Sequence, residues 1–357
     1  MTKKIFTVIG ARPQFIKAAT VSRAIAKEPG LEEIIIHTGQ HFDDNMSRIF
    51  FQELEIPLPA YNLDIHSLGH GSMTGRMLEK LEELMIKEKP DYVLVYGDTN
   101  STLAGALAAA KLHVPVAHVE AGLRSFNMHM PEEVNRILTD RISKILFCPT
   151  KTAVFNLQKE GYESFDCKIV NCGDVMYDAA LFYSQNAEKP GFETPSTYAL
   201  ATLHRAENTD NPARLTEIFK ALGQLAQTMK IVLPLHPRTR IIAQKSGLDK
   251  ISPNIIVTEP VGYLNMIWLL KNCSMVMTDS GGLQKEAYFF QKPCITLRDE
   301  TEWTELTHVK VNLLAGSSKE KILSAFKTFQ GNTTTFPDGL YGDGNAAEKI
   351  AGILAAY

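Results

Sequence analysis

Short apolar, β-branched segments recur along the chain, and each is followed by a stretch with helical periodicity. In the first half the apolar segments read KIFTVIG, EIIIHTG, DYVLVYGD, VPVAHVEAG, KILFCPT and KIVNCGD. In the second half they read YALATLHR, KIVLPLHP, NIIVTEP, SMVMTDS and KPCITLRD. Apolar strands that alternate with helices are typical of parallel sheets covered on both faces. Eleven strands are more than one typical doubly wound sheet contains, so we predict an α/β protein with two Rossmann-like domains.

One stretch interrupts this alternation. Residues 187–196, AEKPGFETPS, combine two prolines and a glycine with charged residues and show no periodicity. We therefore predict an N-terminal domain over residues 1–186 and a C-terminal domain over residues 187–340. The last segment, 341–357, reads as a Gly-rich loop followed by a short helix.

Composition narrows the class of protein. The chain has 357 residues, 45% of them hydrophobic, and a formal charge of −3 with both signs interspersed. The chain has no cluster of basic residues that would indicate binding to nucleic acid or to an anionic membrane. The five cysteines form no CxxC pair, which is typical of buried free thiols in a reducing compartment. The N-terminal apolar run of about six residues is too short for a signal sequence or a membrane span. We predict a soluble, cytoplasmic protein.

Polar side chains with chemical capacity follow the predicted strands. In open α/β sheets, ligands bind outside the carboxyl ends of the strands. The residues at these ends are Arg12, His41, Asp98, Glu120, His204, His236, Asp279 and Arg298. They mark the candidate site.

The stretch MVMTDSGGLQKEA combines a strand, an Asp-Ser-Gly-Gly turn and the start of a helix. Backbone N–H groups and the positive end of a helix at a strand tip bind phosphate, and glycine allows a close approach. The alternative is that Asp279 or Ser280 only caps the helix. Neither a Walker A loop nor a GxGxxG fingerprint occurs in the chain.

Cationic groups occur at three further strand ends. Arg12 and Lys17 follow the first strand, where a guanidinium fork suits phosphate or carboxylate, although a surface salt bridge is equally open. His204 and His236 end two successive strands of the second half, and an arginine follows each within two residues. This repetition favours anion binding or acid–base work over two structural histidines.

The first half carries the acidic groups. Asp98 and Glu120 end strands, and Glu132 with Glu133 follow a proline, where acidic residues also suit the first turn of a helix. No DxD triplet and no metal-site spacing occur, so we predict no metal and no other cofactor. Carboxylates in one domain and a phosphate cradle in the other suggest a nucleotide-sugar enzyme.

Eleven motifs, in order over essentially the whole chain, resemble the non-hydrolysing UDP-N-acetylglucosamine 2-epimerase family. They include GARPQFIKAA, YGDTNSTLAGALAA, HVEAGLRS, MPEEVNRILTD, LATLHRAEN, TDSGGLQKEA and YGDGNAAEKI. The resemblance implies a GT-B fold with the active site in the cleft between two Rossmann-like domains. It further implies that the C-terminal helix packs on the N-terminal domain, that the domains close over the intermediate, and that the protein is a homodimer.

The family inverts C2 of a UDP-amino sugar by eliminating UDP to a glycal and adding UDP back. Protons must reach both faces of C2, which requires more than one acid–base group. By resemblance the catalytic residues are Asp98, Glu120, Glu132 and His204. By the same resemblance the residues that hold the UDP are Arg12, Lys17, His236, Ser280, Gly281, Gly282 and Glu286. We also predict substrate-binding roles for Gln14, Arg136, Arg205 and Arg298.

Departures from the common family pattern indicate the substrate. Ala11 and Gln14 replace the Thr and Glu of Gly-Thr-Arg-Pro-Glu, and Trp303 replaces an arginine in a later motif. These variants resemble the branch that converts UDP-2,3-diacetamido-2,3-dideoxy-glucuronate to the mannuronate for O-antigen and related polysaccharides. A neutral Gln14 would remove repulsion against the C6 carboxylate of a uronate sugar. Trp303 removes a positive charge and has no such account from sequence.

Three alternatives stay open at this stage. UDP-N-acetylglucosamine is the alternative substrate within the family. A GT-B glycosyltransferase shares the architecture and the UDP site but needs one base rather than three carboxylates. A non-catalytic nucleotide-sugar sensor would not need Asp98, Glu120, Glu132 and His204. Gln40 and His41 match the family's second, activating site, but HSLGHGSMTG departs from it, so we do not expect allosteric activation.

Overall fold

The computed structural model describes residues 2–40, 56–248 and 251–357. It contains two compact units, one of Met1–Leu181 with Gly339–Tyr357 and one of Phe182–Asp338. Each unit is built on one parallel sheet with helices, which confirms the predicted pair of α/β domains. The unit borders lie near the predicted domain borders at 187 and 341.

The first unit holds a sheet of seven described strands in the order β3-β2-β1-β4-β5-β6-β7. The strands are β1 (Lys3–Ile9), β2 (Leu31–His37), β3 (Tyr61–Asn62), β4 (Tyr92–Tyr96), β5 (Val116–Val119), β6 (Ile145–Cys148) and β7 (Lys168–Asn171). The α-helices are α1 (Arg12–Ile25), α2 (His70–Glu88), α3 (Asn100–Lys111), α4 (Pro131–Ile142), α5 (Lys151–Lys159), α6 (Val175–Tyr183, which ends across the unit border) and α14 (Ala346–Ala356).

The second unit holds a sheet of six described strands in the order β10-β9-β8-β11-β12-β13. The strands are β8 (Tyr198–Thr202), β9 (Lys230–Pro234), β10 (Ile255–Thr258), β11 (Met275–Thr278), β12 (Cys294–Thr296) and β13 (Asn312–Leu314). The α-helices are α7 (Ala206–Thr209), α8 (Pro212–Leu225), α9 (Pro237–Lys245), α10 (Tyr263–Asn272), α11 (Gly281–Phe289), α12 (Thr304–His308) and α13 (Lys319–Gly331). Single turns of 3₁₀-helix span Tyr162–Ser164 and Ser184–Asn186.

Local sequence explains the central elements. Strand β4, YVLVY, is buried at every position, as expected for a strand covered on both faces. Helix α3 is rich in alanine, and a Cβ on its Gly105 would lie 3.2 Å from side-chain carbons of Val8 and Val95. The small residue therefore lets α3 lie close against β1 and β4, just behind the loop that contains Asp98.

All eleven predicted strands are present, together with the edge strands β3 and β13. These two have only two and three residues, so they are too short to show a periodicity. No helix within the described ranges is long and apolar enough to cross a membrane.

Candidate active site

The order of each sheet reverses between two central strands, β1 and β4 in the first unit and β8 and β11 in the second. Ligands of open α/β sheets bind at the carboxyl ends of such strand pairs. Arg12 follows β1 and Asp98 follows β4, while His204 follows β8 and Asp279 follows β11. Both reversal points therefore hold groups that the sequence marks as candidates.

Helix α4 sets the direction of the Asp98 carboxylate. Arg136 is 3% exposed; its Nη2 donates to Asp98 Oδ2 over 2.6 Å, and its Nη1 donates to Glu133 Oε2 over 3.0 Å. Asn135 Nδ2 donates to the Asp98 carbonyl oxygen over 2.9 Å. Arg136, expected as a substrate contact, is therefore a buried partner of a catalytic candidate.

The two glutamates of the Pro-Glu-Glu segment, Glu132 and Glu133, differ in their surroundings. Both carboxylates lie in the first turn of α4, as the structural alternative required. Glu133 is fully buried and accepts hydrogen bonds of 2.9 Å from the N–H groups of Ser125 and Phe126 and from the Ser125 hydroxyl. Glu132 is only half-buried. Glu133 thus holds the preceding loop, and Glu132 keeps the exposure that a proton-transfer group needs.

Glu120 lies in a left-handed backbone conformation with φ of 75°. Its carboxylate forms an ion pair with the ammonium group of Lys17, and both side chains are 9% exposed. Few non-glycine residues adopt a positive φ, and such strain is concentrated at functional sites. Lys17 was grouped with the UDP-binding residues, and its pairing with a catalytic candidate is a contact that sequence analysis missed.

Gln14 corrects one prediction. Its side chain is 0% exposed, and its Oε1 accepts from the N–H groups of Gly10 and Ala11 over 2.8 and 3.0 Å. Its Nε2 donates to the carbonyl of Tyr96 over 2.9 Å and to the Thr102 hydroxyl over 3.0 Å. The amide joins the ends of β1 and β4 from inside the protein. It is therefore a structural group, and the expected direct contact with substrate is wrong for this structure.

Asp279 and His204 form a dyad at the ends of β11 and β8. Asp279 is fully buried, and its oxygens accept from the N–H groups of His204 at 3.1 Å and Arg205 at 3.0 Å. The same carboxylate lies 3.2 Å from His204 Nδ1, and Asn208 Nδ2 donates to it over 3.2 Å. A carboxylate at Nδ1 favours the tautomer with Nε2 as the acid–base nitrogen. The His204 side chain itself is half exposed, at 51%.

The Ser-Gly-Gly turn caps the helix, and its geometry is also compatible with anion binding. Ser280 is the N-cap of α11, and its hydroxyl accepts from Leu283 N over 3.4 Å. A Cβ on Gly281 would lie 2.5 Å from Glu302 Oε1, whereas a Cβ on Gly282 would meet no atom within 4 Å. A side chain at residue 281 would therefore displace the Glu302 carboxylate, and Gly282 leaves the helix N-terminus open to an anion.

The Trp303 substitution now has a physical account. The buried Lys285 ammonium lies over the Trp303 ring, 4.0 Å from its centroid, in a cation–π contact. Arg298 is 2% exposed and donates to Glu302 Oε2 over 3.0 Å. Arg298 was expected at the substrate, but its guanidinium bonds Glu302, the residue that packs against Gly281. Arg298 therefore supports the Ser-Gly-Gly turn through Glu302.

Of the remaining predicted residues, Arg12, Arg205 and His236 follow strand ends, and Glu286 lies within α11. Arg12 and Arg205 are half-buried, His236 is exposed, and Glu286 is buried in α11. His236 is also the N-cap of α9, where its Nδ1 accepts from Arg238 N over 3.3 Å. Sequence analysis did not predict this capping role.

The possible activating site is only partly described. Gln40 Oε1 accepts from the hydroxyl and the N–H of Ser101, over 2.9 and 3.2 Å. Gln40 therefore supports the first turn of α3. His41 lies outside the described residues, and the absence of allosteric activation stays a prediction.

The cysteines are free thiols, four of them buried and Cys167 half-buried. Burial raises the pKa of the Cys172, Cys273 and Cys294 thiols to about 12, which keeps them protonated at neutral pH. Within residues 2–40, 56–248 and 251–357, no three His, Cys, Asp or Glu side chains group as a metal site.

Known proteins match this chain over nearly its full length. The model of the UDP-N-acetylglucosamine 2-epimerase family matches residues 23–355. A UDP-2,3-diacetamido-2,3-dideoxy-D-glucuronate 2-epimerase from Pseudomonas aeruginosa is 59% identical over 354 residues, which cover 99% of each chain. A UDP-N-acetylglucosamine 2-epimerase homolog from Methanococcus maripaludis is 53% identical over 361 residues, 98% of this chain and 99% of that one.

A solved structure has the same fold. The UDP-GlcNAc 2-epimerase of Methanocaldococcus jannaschii, in complex with UDP-GlcNAc and UDP, aligns with a TM-score of 0.91 and 43% identity over 100% of both chains. This likeness confirms the predicted GT-B fold. The matched family consists of isomerases, which favours epimerisation over the glycosyltransferase and sensor alternatives. Strand-end carboxylates, a histidine–aspartate dyad and an open Ser-Gly-Gly helix start thus occur in a chain that belongs to the UDP-N-acetylglucosamine 2-epimerase family.

Proposed function

We propose that this protein converts UDP-2,3-diacetamido-2,3-dideoxy-D-glucuronate to the corresponding mannuronate by inverting C2. The observation that carries the proposal is the 59% identity, over 99% of both chains, to the Pseudomonas aeruginosa enzyme named for that substrate. Such a product would serve surface polysaccharide synthesis, O-antigen included.

The reaction removes the C2 proton and breaks the bond from C1 to the UDP oxygen, which yields a glycal and free UDP. UDP then adds back to C1 while a proton reaches the opposite face of C2. The C2–H has no adjacent carbonyl, so it is too weak an acid to be removed and replaced in a simple proton exchange. Breaking the bond from C1 to UDP in the same process makes its removal feasible. Two faces require two or more proton-transfer groups, and we assign that work to Asp98, Glu120 and Glu132.

The ion pairs of the first unit support this assignment. The Arg136 guanidinium fixes the direction of the Asp98 carboxylate through an ion pair of 2.6 Å between Nη2 and Oδ2. The Lys17 ammonium forms an ion pair with the Glu120 carboxylate. Carboxylates whose rotamers are fixed by such partners are oriented before the substrate binds, which lowers the entropic part of the barrier.

The second unit supplies anion recognition in this proposal. The open helix start at Gly282, with Ser280 and Gly281, would bind the diphosphate, and Glu286 would accept from the ribose hydroxyls. Arg12, His236 and Arg205 would add positive charge or hydrogen-bond donors. His204, oriented by Asp279, would exchange a proton with the departing and returning UDP.

Proton NMR in D₂O tests the proposal directly. Purified protein is incubated with UDP-2,3-diacetamido-glucuronate and, separately, with UDP-N-acetylglucosamine. Loss of the H2 signal and growth of the manno product are followed. Deuterium at C2 of the uronate alone is the expected result. Exchange in UDP-N-acetylglucosamine alone would contradict the proposed substrate, but it would still support epimerisation at C2.

UDP-N-acetylglucosamine is the second candidate substrate, because the Methanocaldococcus jannaschii enzyme of TM-score 0.91 is named for it and was solved in complex with it.

We also propose a homodimer, which light scattering of the full chain would test. Five free thiols suit a reducing, cytoplasmic setting.

A further inference from the structure

A cluster of charged side chains, all of them buried except Glu160, lies beneath the two loops that contain Asp98 and Glu120. Its members are His118 on β5, Asp140 on α4, Arg124 and Glu160. The side chains of His118 and Asp140 are 0% exposed. The proposed mechanism uses none of them.

The contacts of His118 determine where its protons are. Nε2 lies 2.7 Å from the carbonyl oxygen of Gly97, and Nδ1 lies 2.7 Å from Asp140 Oδ1. A carbonyl oxygen only accepts hydrogen bonds, so Nε2 must carry a proton. An ionised carboxylate also only accepts, so Nδ1 must carry one as well. Both contacts are satisfied together only by an imidazolium.

Asp140 is ionised. Its Oδ2 accepts from Arg124 Nη1 over 2.7 Å and from Gly122 N over 3.1 Å. Burial raises the pKa of Asp140, but hydrogen bonds and charge from His118 and Arg124 outweigh burial, and the net pKa is lowered. Because Arg124 and Gly122 both donate to Oδ2, the proton of the pair can lie only between Oδ1 and His118 Nδ1. The Arg124 cation beside Asp140 favours the carboxylate form, which leaves that proton on Nδ1.

The charges of the cluster balance. Arg124 also forms a two-pronged pair with Glu160, over 2.7 and 2.8 Å. The neighbouring titratable groups, Cys148 and Tyr162, are neutral, because burial raises the pKa of each. Two cations therefore face two carboxylates, which offsets the cost of burying charge.

The cluster joins the two catalytic loops. The Gly97 carbonyl that accepts from His118 comes directly before Asp98, and the Gly122 N–H that donates to Asp140 comes two residues after Glu120. Gly97, Glu120 and Gly122 have φ values of 62°, 75° and 80°. A strained residue such as Glu120 persists only where its surroundings over-determine it.

We propose that His118 is doubly protonated and acts, through Gly97 and Asp140, as a positioning residue for Asp98 and Glu120. The inference rests on the proposed function only in assigning proton transfer to those two carboxylates. Loss of the imidazolium would release one anchor of each loop. Proton transfer at C2 would then slow, whereas UDP binding would not change.

The protonation state is tested first, without substrate. Full-length protein labelled with ¹⁵N-histidine is observed by long-range ¹H–¹⁵N NMR at pH 8, where an ordinary histidine is neutral. His118→Asn identifies the His118 signals, and His113→Asn, at an exposed histidine of the same unit, is the control. Both His118 nitrogens are expected in the imidazolium range. One unprotonated nitrogen would overturn the proposal, whichever sugar the enzyme uses.

The positioning role is tested by kinetics with the sugar that the wild type epimerises. His118→Asn and Asp140→Asn are expected to lower kcat about 10- to 100-fold, as loss of supporting contacts typically does. Binding of UDP, measured by calorimetry, should stay within about twofold, and His113→Asn should match the wild type. Asp140→Asn keeps the ring and should leave it neutral at pH 8, which covers the case in which His118→Asn does not fold. Wild-type kcat in Asp140→Asn, or equal losses in kcat and UDP affinity, would contradict the positioning role.

Discussion

Asp279 ends β11, and its carboxylate accepts from the backbone N–H groups of His204 and Arg205 while facing the His204 ring. Gln14 ends up in a comparable position in the first unit, with four hydrogen bonds that join the ends of β1 and β4. In both cases a side chain next to the candidate site hydrogen-bonds to the backbone at the strand ends and so positions the residues of the site. Substitutions at these residues therefore separate geometry from direct chemistry.

Asp279→Asn should lower kcat about 10- to 100-fold with a smaller change in KM, because an amide cannot accept from all of these donors and no longer fixes the His204 tautomer. Steady-state kinetics with the preferred UDP-sugar measures the effect. Asp210→Asn is the matched control, since Asp210 is exposed and pairs with Arg238. A wild-type kcat in Asp279→Asn would refute the dyad.

Gln14→Glu should lower the free energy of unfolding by about 1–3 kcal/mol, because a carboxylate oxygen would face the Tyr96 carbonyl that now accepts from the amide. Urea denaturation measures the loss, and Gln227→Glu, at an exposed glutamine, is the control. The ratio of activities on the uronate and neutral sugars should stay within about twofold. A large change in that ratio would restore the idea that residue 14 selects the substrate charge.

At the scale of elements, helix ends and tight loops depend on residues that are distant in the chain. The N-cap residue of α14, Asn345, makes no side-chain cap, and Asp178 on α6 accepts from Ala347 N over 2.7 Å instead. The loop after β5 passes so close to α5 that a Cβ on Gly122 would lie 2.5 Å from the Ala153 carbonyl oxygen. Each feature gives a measurable effect on stability.

Asp178 should make stability depend on pH. Burial raises its pKa to about 6, although backbone N–H groups of Ala347 and Ala346 oppose the shift. The unfolded carboxyl titrates near pH 4, so the folded state binds more protons between pH 4 and 6. The contribution of Asp178 to stability therefore falls as pH rises through 6.

Asp178→Asn removes this titration. Relative to the wild type, the variant should gain up to about 2 kcal/mol in free energy of unfolding between pH 4 and pH 7. Urea denaturation of both proteins across that range measures the difference, and Asp338→Asn, at an exposed carboxylate, provides the control. A pH-independent difference would show that Asp178 has an ordinary pKa.

Gly122→Ala should destabilise the protein more than Gly161→Ala does. The two glycines have nearly the same φ, 80° and 81°, but a Cβ at Gly161 would meet no atom within 4 Å. The backbone strain of about 1 kcal/mol is common to both, so the difference reports the clash with Ala153. We expect a further loss of about 1–3 kcal/mol and a lower kcat for Gly122→Ala alone. Equal effects in the two variants would exclude the clash.

At the scale of the whole molecule, the two units share the order of their first six described strands but hold different chemistry. The first unit is discontinuous in sequence, because Gly339–Tyr357 belongs to it although Phe182–Asp338 intervenes. Helix α14 lies against α1, and the Lys3 ammonium donates to the carbonyls of Leu354 and Ala355, over 3.3 and 2.7 Å. The last helix is thus part of the first unit's core.

Truncation after Asn345 should therefore destabilise the first unit selectively. It removes the buried side chains of Ile350 and Leu354, each worth about 1.5–3 kcal/mol. Thermal unfolding, with hydrogen exchange read separately on the peptides of each unit, should show the first unit opening before the second. Deletion of Tyr357 alone, beyond the end of α14, is the control. Simultaneous opening of both units would contradict the prediction.

The sequence by itself determined the features that are local or repeated. Apolar runs such as YVLVY predict buried strands because every position faces a covered side of the sheet. Strand-end residues such as Asp98, His204 and Ser280 follow from strand order, since parallel strands end at one edge. Ordered motifs over the chain also identified the family, which the comparisons confirm.

Only the tertiary structure decided which of these residues act together. The pairs Lys17–Glu120, His204–Asp279 and Lys285–Trp303 join different elements. Gln14 departs from the family motif and was expected at the substrate, yet its side chain has a structural role, because its partners lie on β4 and α3. Periodicity records which side of an element is buried, but not the neighbour that it meets. Hydrogen-bond partners, strain and charge balance depend on that neighbour, so they are properties of the folded chain.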